Sequence, residues 1–200
     1  MLIVTPKGVF FMSKKSFSIR QLSIAAGLAA FSAVLQLIHI GYQSPQFGMW
    51  IDIVAVTWIV ALFLFDLKMS LLVSLVGALI ITLFAPDTWL GASMKWVASL
   101  PIWFFLGIWL NIFKKDRNFY RKKKNLIIPF LFGLVARLLI IIPLNYYYAI
   151  PIWTGLTPAK AILVIPWYII ALFNLIQSVV DVSLAWILVY QFKLERFAKK

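Results

Sequence analysis

The chain has 200 residues, of which 64% are hydrophobic and only 12% are charged. This composition excludes an ordinary soluble domain and is typical of a single polytopic membrane domain. The net charge of +13 would suggest nucleic-acid binding in a soluble protein, but here the basic residues lie in short runs beside apolar segments, as membrane topology requires. Because the chain has no Cys and one His, disulfides, thiolate metal sites and cysteine nucleophiles are excluded, and the lone His cannot by itself form a haem or zinc site.

Residues 1–20 are basic, and the apolar piece within them is too short to cross a membrane. Six apolar segments follow, each close to the length that crosses a hydrocarbon core of about 30 Å, the third only marginally and the sixth with length to spare. They are Leu22 to Ile40, Phe47 to Phe65, Met69 to Ala85, Ser93 to Phe113, Leu126 to Ala149 and Ile162 to Phe192. The sequence therefore predicts an all-α integral membrane protein with six transmembrane helices in one bundle, formed by residues 21–193 and followed by a basic tail, residues 194–200.

The basic residues of the loops gather on one side of this topology. They lie in the N-terminal segment, at Lys68, in the block from Lys114 to Lys124 and in the C-terminal tail. Cytoplasmic loops of membrane proteins carry such an excess of Lys and Arg. We therefore predict a multi-pass protein of the cell membrane with both termini in the cytoplasm.

Two charged residues lie within predicted membrane helices. Arg137 and Asp181 are each about 18 Å from the cytoplasmic edge when counted along segments five and six. A charge inside the membrane costs about 2.5 to 3.5 kcal/mol on insertion scales, so each should have a partner. The matching depth predicts a structural ion pair between Arg137 and Asp181, with a direct role in ligand or proton chemistry as the alternative.

Polar side chains also gather toward the external ends of the helices. Segment six presents Asn174, Gln177, Ser178 and Asp181 on one face, at i, i+3, i+4 and i+7. Amides suit the edge of a heterocycle and aromatic faces suit stacking, so we predict one external ligand cavity. The residues predicted to bind the ligand are Asn145, Gln177, Asn174, Lys95, Ser99, Tyr146, Tyr148, Trp153 and Asp52. Interface snorkelling of Lys95 and Asp52, and hydrogen bonding between helices by Asn145 and Gln177, are the structural alternatives.

Segment one carries a stripe of small residues near its cytoplasmic half. Ala25, Ala26, Ala29 and Ala30 belong to it, and small residues let another helix approach closely. The stripe predicts either internal packing or a docking surface for a partner subunit. No phosphate loop, HExxH or GxSxG motif occurs in the sequence, so neither ATP hydrolysis nor another catalytic activity of its own is predicted.

Several stretches resemble the substrate-binding S components of energy-coupling factor (ECF) vitamin transporters. They read SIRQLSIAAGLAAFSAVL, MKWVASLP, ARLLIIIPLNYYYAIPIW and FNLIQSVVDVSLAWILVY. The pattern RxxxxxxxNYxxxxPxxxG followed by FNLI is most similar to the riboflavin-specific branch. The resemblance covers Ser18 to about Arg196.

This resemblance implies a specificity subunit that binds riboflavin or a related heterocyclic vitamin at the extracellular side. Its implied partners are a membrane coupling subunit and two cytoplasmic ATPases, and it implies no catalytic cofactor. The family's docking motif AxxxA matches Ala25 and Ala29, with Ala26 and Ala30 in the neighbouring register. The family's ligand-contacting asparagine matches Asn145, whereas Gln177 replaces the lysine usual after FNLI.

Two alternatives come from other classes of protein. A membrane scaffold of the bacterial MreD type would share a small helical bundle but need no polar cavity. A self-sufficient secondary transporter would need inverted halves, which the sequence does not show. An S component for a different vitamin also remains open.

Overall fold

A computed structural model describes residues 17–38, 41–44, 47–84 and 88–198. Most of the predicted basic segment 1–20 and the last two residues of the tail therefore lie outside the described residues. The α-helices are α1 (Ile19–Ile38), α2 (Val54–Leu64), α3 (Leu67–Phe84), α4 (Thr88–Ile112), α5 (Lys124–Leu144), α6 (Ile150–Thr154), α7 (Pro158–Val164), α8 (Trp167–Trp186) and α9 (Glu195–Ala198). Two short strands, β1 (Gly41–Gln43) and β2 (Trp50–Asp52), form a hairpin between α1 and α2.

Helix α2 is the centre of the bundle. It packs against α1, α3, α4 and α8, and each of its residues is buried. Its sequence, VAVTWIVALFL, has no polar face, and a helix that is apolar all round is stable only when it is surrounded. The remaining contacts are mostly between helices adjacent in the chain, above all α4 with α5.

The hairpin replaces the beginning of the predicted second helix. Phe47 to Phe65 was predicted as one helix, but the strands pair antiparallel, with Gly41 opposite Asp52, and α2 begins only at Val54. Gly41 suits this close approach, because a Cβ at that position would lie 2.0 Å from the carbonyl oxygen of Ile51. The prediction was wrong at this boundary, since a strand of only three residues beside an apolar helix cannot be distinguished from a helix start by composition.

The predicted segments five and six are each interrupted in the structure. A π-helical turn, Asn145–Ala149, joins α5 to α6, which ends at Gly155 in a left-handed conformation (φ 70°). Segment six divides into α7 and α8, because Pro166 is the N-cap of α8, and a second π-helical turn, Ile187–Gln191, extends α8. Single π-helical turns are rare in proteins, but those that occur often lie at functional sites.

By length and hydropathy, four helical spans of the described residues could cross a membrane: Ile19–Gln36, Trp89–Ile112, Lys124–Thr154 and Trp167–Gln191. Two further apolar helices, Val54–Leu64 and Leu67–Leu83, are shorter. At about 1.5 Å per residue, α2 covers about 16 Å, or half of a hydrocarbon core. The predicted multi-pass helical membrane architecture is therefore supported, but the six helices predicted to span the membrane are four long spans and two shorter ones.

Candidate functional site

A cavity of about 530 Å³ lies at the end of the bundle away from the loop between α4 and α5. Its walls come from the hairpin, the first half of α4, the end of α5 with α6, and the first half of α8. This volume is within the range of about 300 to 1,000 Å³ of small-molecule sites. The polar residues that line it are Gln36, Gln43, Asp52, Lys95, Ser99, Arg137, Asn145, Thr154, Asn174 and Gln177. Its aromatic lining residues are Phe47, Trp50, Trp153 and Phe173.

Most of the residues predicted as ligand contacts thus meet around one space. Those that line it are Asp52, Lys95, Ser99, Asn145, Trp153, Asn174 and Gln177. The two predicted tyrosines do not line it. Tyr146 is buried and its hydroxyl donates to the carbonyl of Ile165 (2.7 Å), whereas the ring of Tyr148 packs edge-on against Trp89. Both tyrosines therefore hold the outer helices together.

Gln177 joins the hairpin to α8. Its Oε1 accepts a hydrogen bond from the backbone N–H of Asp52 (2.9 Å), and its Nε2 donates to the backbone carbonyl of Asp52 (2.8 Å). The same Nε2 donates to Oδ1 of Asp181 (2.8 Å). Both N–H groups of the amide are therefore used within the protein. Gln177 borders the cavity, but it has no amide hydrogen left to donate to a ligand.

Lys95 of α4 forms an ion pair with Asp52, the last residue of β2, two positions before α2 begins. The side chains are only 18% and 7% exposed, so neither residue snorkels to a membrane surface. The Asp52 carboxylate also accepts a hydrogen bond from the backbone N–H of Val54 (3.0 Å) at the first residue of α2. The positive end of the helix dipole lies there and favours a negative charge. The Lys95 charge is thus already compensated inside the protein.

Arg137 lies at the cavity wall, a position that fits the alternative prediction of a role in ligand chemistry better than a purely structural ion pair. Its Nε donates to Oδ1 of Asn174 (2.8 Å), and its Nη1 donates to Oγ of Ser178 (3.1 Å). The predicted direct ion pair with Asp181 is not formed among the described residues, where the ion pairs are Lys95 with Asp52 and Arg121 with Glu195. Backbone depth was a poor guide, because a long arginine side chain can reach a different helical turn, here the turns of Asn174 and Ser178.

Asn145 stands where α5 passes into its π-helical turn. Its Nδ2 donates to the carbonyl of Ile141 (2.8 Å), which fixes the orientation of the amide. Among the described residues no donor reaches its Oδ1. Asn145 therefore presents an acceptor, and the second hydrogen of its amide, to the cavity that it lines.

Several lining residues were missed by the sequence reasoning. Gln36 of α1 is a polar residue in an apolar helix, so its position alone could have revealed it. Gln43 and Trp50 reach the cavity only because the hairpin places them there. Met94 and Phe173 are apolar residues on apolar helices, and nothing in their local sequence distinguishes them from other core residues.

The small-residue stripe of α1 divides into two faces. Ala25 and Ala29 are 3% and 2% exposed and belong to the core, so they are not available to a partner in this structure. Ala26 and Ala30 are exposed. The docking prediction is therefore corrected for Ala25 and Ala29, whose one-turn spacing puts them on the internal face, while the adjacent pair faces outward.

The chain is similar to a solved structure over nearly its whole length. That structure is the S component of a bacterial ECF transporter, which matches with a TM-score of 0.65 and 22% sequence identity over 90% of this chain and 98% of that chain. The likeness shows that the two share a fold. No family model matches the sequence, and the comparison with curated proteins gave no match.

Proposed function

We propose that this chain is the substrate-specificity subunit of an ECF-type importer, and that it binds riboflavin or a related heterocyclic vitamin in the cavity. The observation that carries the proposal is a cavity of about 530 Å³, with buried polar groups and an aromatic rim, in a chain with the fold of an S component. A membrane scaffold has no need of such a cavity.

In this proposal Asn145 reads the polar edge of the ligand and the aromatic residues hold its ring. Trp50 and Trp153 line the cavity from opposite elements, the hairpin and α6, and flat rings prefer offset stacking or edge contacts with such side chains. The chain binds the ligand but does not catalyse a reaction. Separate ATPase subunits hydrolyse ATP, and they act on this chain through a membrane coupling subunit.

The retained ligand tests the proposal. The protein is purified in mild detergent from cells grown in rich medium, and the small molecules released on denaturation are identified by mass spectrometry. We expect a heterocyclic vitamin in stoichiometric amount, and riboflavin would also be visible as a yellow, fluorescent preparation. A protein that retains no small molecule and binds none from a panel of vitamins would favour the scaffold and overturn the proposal.

Asn145→Ala should weaken binding of the retained compound by about 10-fold to 100-fold, because the ligand loses a partner for its polar edge. The affinity is measured by titration calorimetry on the purified protein. Asn118→Ala is the matched control, since Asn118 is exposed and lies in the loop between α4 and α5. Equal affinities of the Asn145→Ala protein and the wild type would remove Asn145 from the site.

The exposed face of α1 is the proposed docking surface for the coupling subunit. Ala30→Trp should abolish ATP-dependent uptake and co-purification with the coupling subunit while ligand binding persists, because a large side chain prevents close helix approach. Leu139→Trp is the control, since Leu139 is 72% exposed on α5, at a different face. If both variants transport normally, docking does not use this face.

A further inference from the structure

We infer that the substrate carries a carboxylate group and that Arg137 binds it. The inference rests on the proposed function, because it concerns the ligand of the same cavity, and it narrows the ligand from heterocyclic vitamins in general to an acidic one. It also assigns to Arg137 a role in specificity that differs from the structural ion pair predicted from the sequence.

The charges around the cavity point to this group. Three charged side chains line it: Asp52, Lys95 and Arg137. Asp52 and Lys95 compensate each other as an ion pair, which leaves the guanidinium of Arg137. Asp181 is buried behind the wall, does not line the cavity, and accepts a hydrogen bond from Gln177. The lining residues alone therefore carry a net charge of +1, which the carboxylate of Asp181 balances from behind the wall without contacting Arg137 directly.

The guanidinium is both buried and incompletely used. Arg137 is 4% exposed, and two of its five N–H groups donate to Asn174 and Ser178. Among the described residues, no carboxylate lies within ion-pair distance of it, and no further acceptor takes the other N–H groups. The buried carboxylate of Asp181 acts on this charge only from beyond ion-pair distance, so the guanidinium has no direct ionic partner and a bound anion would be favoured at this point.

The two neighbours of Arg137 also hold it in one orientation. The amide of Asn174 is fixed by its own donation to the carbonyl of Ile170 (2.9 Å), and the hydroxyl of Ser178 donates to the carbonyl of Asn174 (2.7 Å). Their oxygens are thereby turned to accept from Arg137. Asn174 and Ser178 are positioning residues, which keep the planar fork of the guanidinium ready for a ligand.

A carboxylate fits this fork better than a neutral group does. The parallel N–H groups of arginine match the two oxygens of a carboxylate, and such bonds are about twice as strong as bonds between neutral groups. The apolar and aromatic residues of the wall, Ile141, Ile165 and Phe173 among them, suit the ring of the same molecule. The expected ligand is a compact heterocyclic acid.

The experiment compares acids with their own amides on the wild-type protein. The probes are nicotinate and nicotinamide, biotin and biotinamide, and lipoate and lipoamide, with riboflavin as the neutral reference, and binding is measured by titration calorimetry. The compound retained during purification is identified in parallel by mass spectrometry. We expect a retained acid, and for the pair that binds we expect the acid to bind at least 10-fold more tightly than its amide.

Arg137→Gln should remove this preference, because it should weaken the binding of the acid and leave the binding of the amide unchanged. Arg137→Lys should restore part of the preference. Lys160→Gln is the control, since Lys160 is exposed and lies outside the lining. If Arg137→Gln does not fold, the ratio of acid to amide on the wild-type protein decides the question. A retained neutral compound such as riboflavin, or equal binding of acid and amide, would overturn the inference and leave the proposed function standing. A protein that retains no small molecule and binds none of the probes would overturn both this inference and the proposed function.

Discussion

Gln177 makes contacts that a lysine could not reproduce at the same position. Its amide pairs with both the N–H and the carbonyl of Asp52, as one strand of a sheet pairs with another, and it also donates to Asp181. A lysine can donate but cannot accept, so the N–H of Asp52 would lose its partner. Gln177 therefore attaches the hairpin to α8 in a way that a lysine at this position could not.

Gln177→Leu should lower the free energy of unfolding by about 1–3 kcal/mol for each buried polar group that it leaves without a partner. The groups concerned are the backbone N–H and carbonyl of Asp52 and Oδ1 of Asp181, whereas the Asp52 carboxylate keeps Lys95 and Val54. Thermal unfolding in detergent gives the measurement. Gln191→Leu is the control, because Gln191 is exposed near the other end of the same span. Equal midpoints for the two variants would mean that the contacts of Gln177 contribute nothing to stability.

The same residue shows how much of the site could be predicted. A polar residue in an apolar helix is conspicuous, so Asn145, Asn174, Gln177 and Arg137 were all found from the sequence. Their partners were not, because the backbone of Asp52 is 125 residues from Gln177, and a contact between a side chain and a distant main chain has no sequence pattern. The sequence left both ligand binding and hydrogen bonding between helices open for Gln177, and its contacts with Asp52 and Asp181 show that its amide is used inside the protein.

At the scale of the elements, three helices meet most closely at Gly77. This residue of α3 faces α1 and α2, and a Cβ added to it would lie 2.3 Å from Oγ of Ser32 and 3.2 Å from Nε1 of Trp58. The buried residues Ala29 and Ala33 of α1 belong to the same core. The internal face of the alanine stripe is thus explained by packing of α1 against α3.

Gly77→Ala should lower the free energy of unfolding by about 1–3 kcal/mol, since the added methyl group overpacks this contact. Gly27→Ala should leave stability unchanged or raise it by up to about 1 kcal/mol, because a Cβ there meets no atom within 4 Å and alanine favours a helix. Both are measured by thermal unfolding. Ser32→Ala added to Gly77→Ala should recover part of the loss, and a Gly77→Ala protein as stable as the wild type would show that α1 and α3 are not closely packed.

The helix boundaries show where sequence reasoning ends at this scale. Long apolar runs predicted α1, α3, α4 and α5 to within a few residues. The second segment failed because the strand Trp50–Asp52 is only three residues long, and its single charged residue does not mark it off from the apolar sequence that continues into α2. The sixth failed at Pro166, where α8 begins, although proline is a known signal for the first turn of a helix. The π-helical turns have no sequence rule that would predict them.

At the scale of the whole molecule, the distribution of charge gives the orientation. At the end of the bundle opposite the cavity, α4 and α5 meet the basic block before α5, and the span that contains α8 ends close to Lys193. This basic block is anchored to the bundle: Tyr120 is buried and its hydroxyl donates to the carbonyl of Leu106 (2.6 Å), and Nζ of Lys123 lies 4.5 Å from the ring centroid of Trp186. Burial raises the pKa of Tyr120, so this phenol adds no negative charge to the basic end at neutral pH.

From the positive-inside rule we propose that the basic end lies in the cytoplasm and the cavity outside. The chain has no Cys, so single cysteines report its orientation without a background. Thr157→Cys and Asn118→Cys put a thiol at exposed polar positions on opposite ends of the bundle without changing its charge. In intact cells, a membrane-impermeant maleimide should label Thr157→Cys and leave Asn118→Cys unlabelled, and lysis should make both reactive. The opposite pattern would place the cavity in the cytoplasm, where it could not collect a substrate from outside.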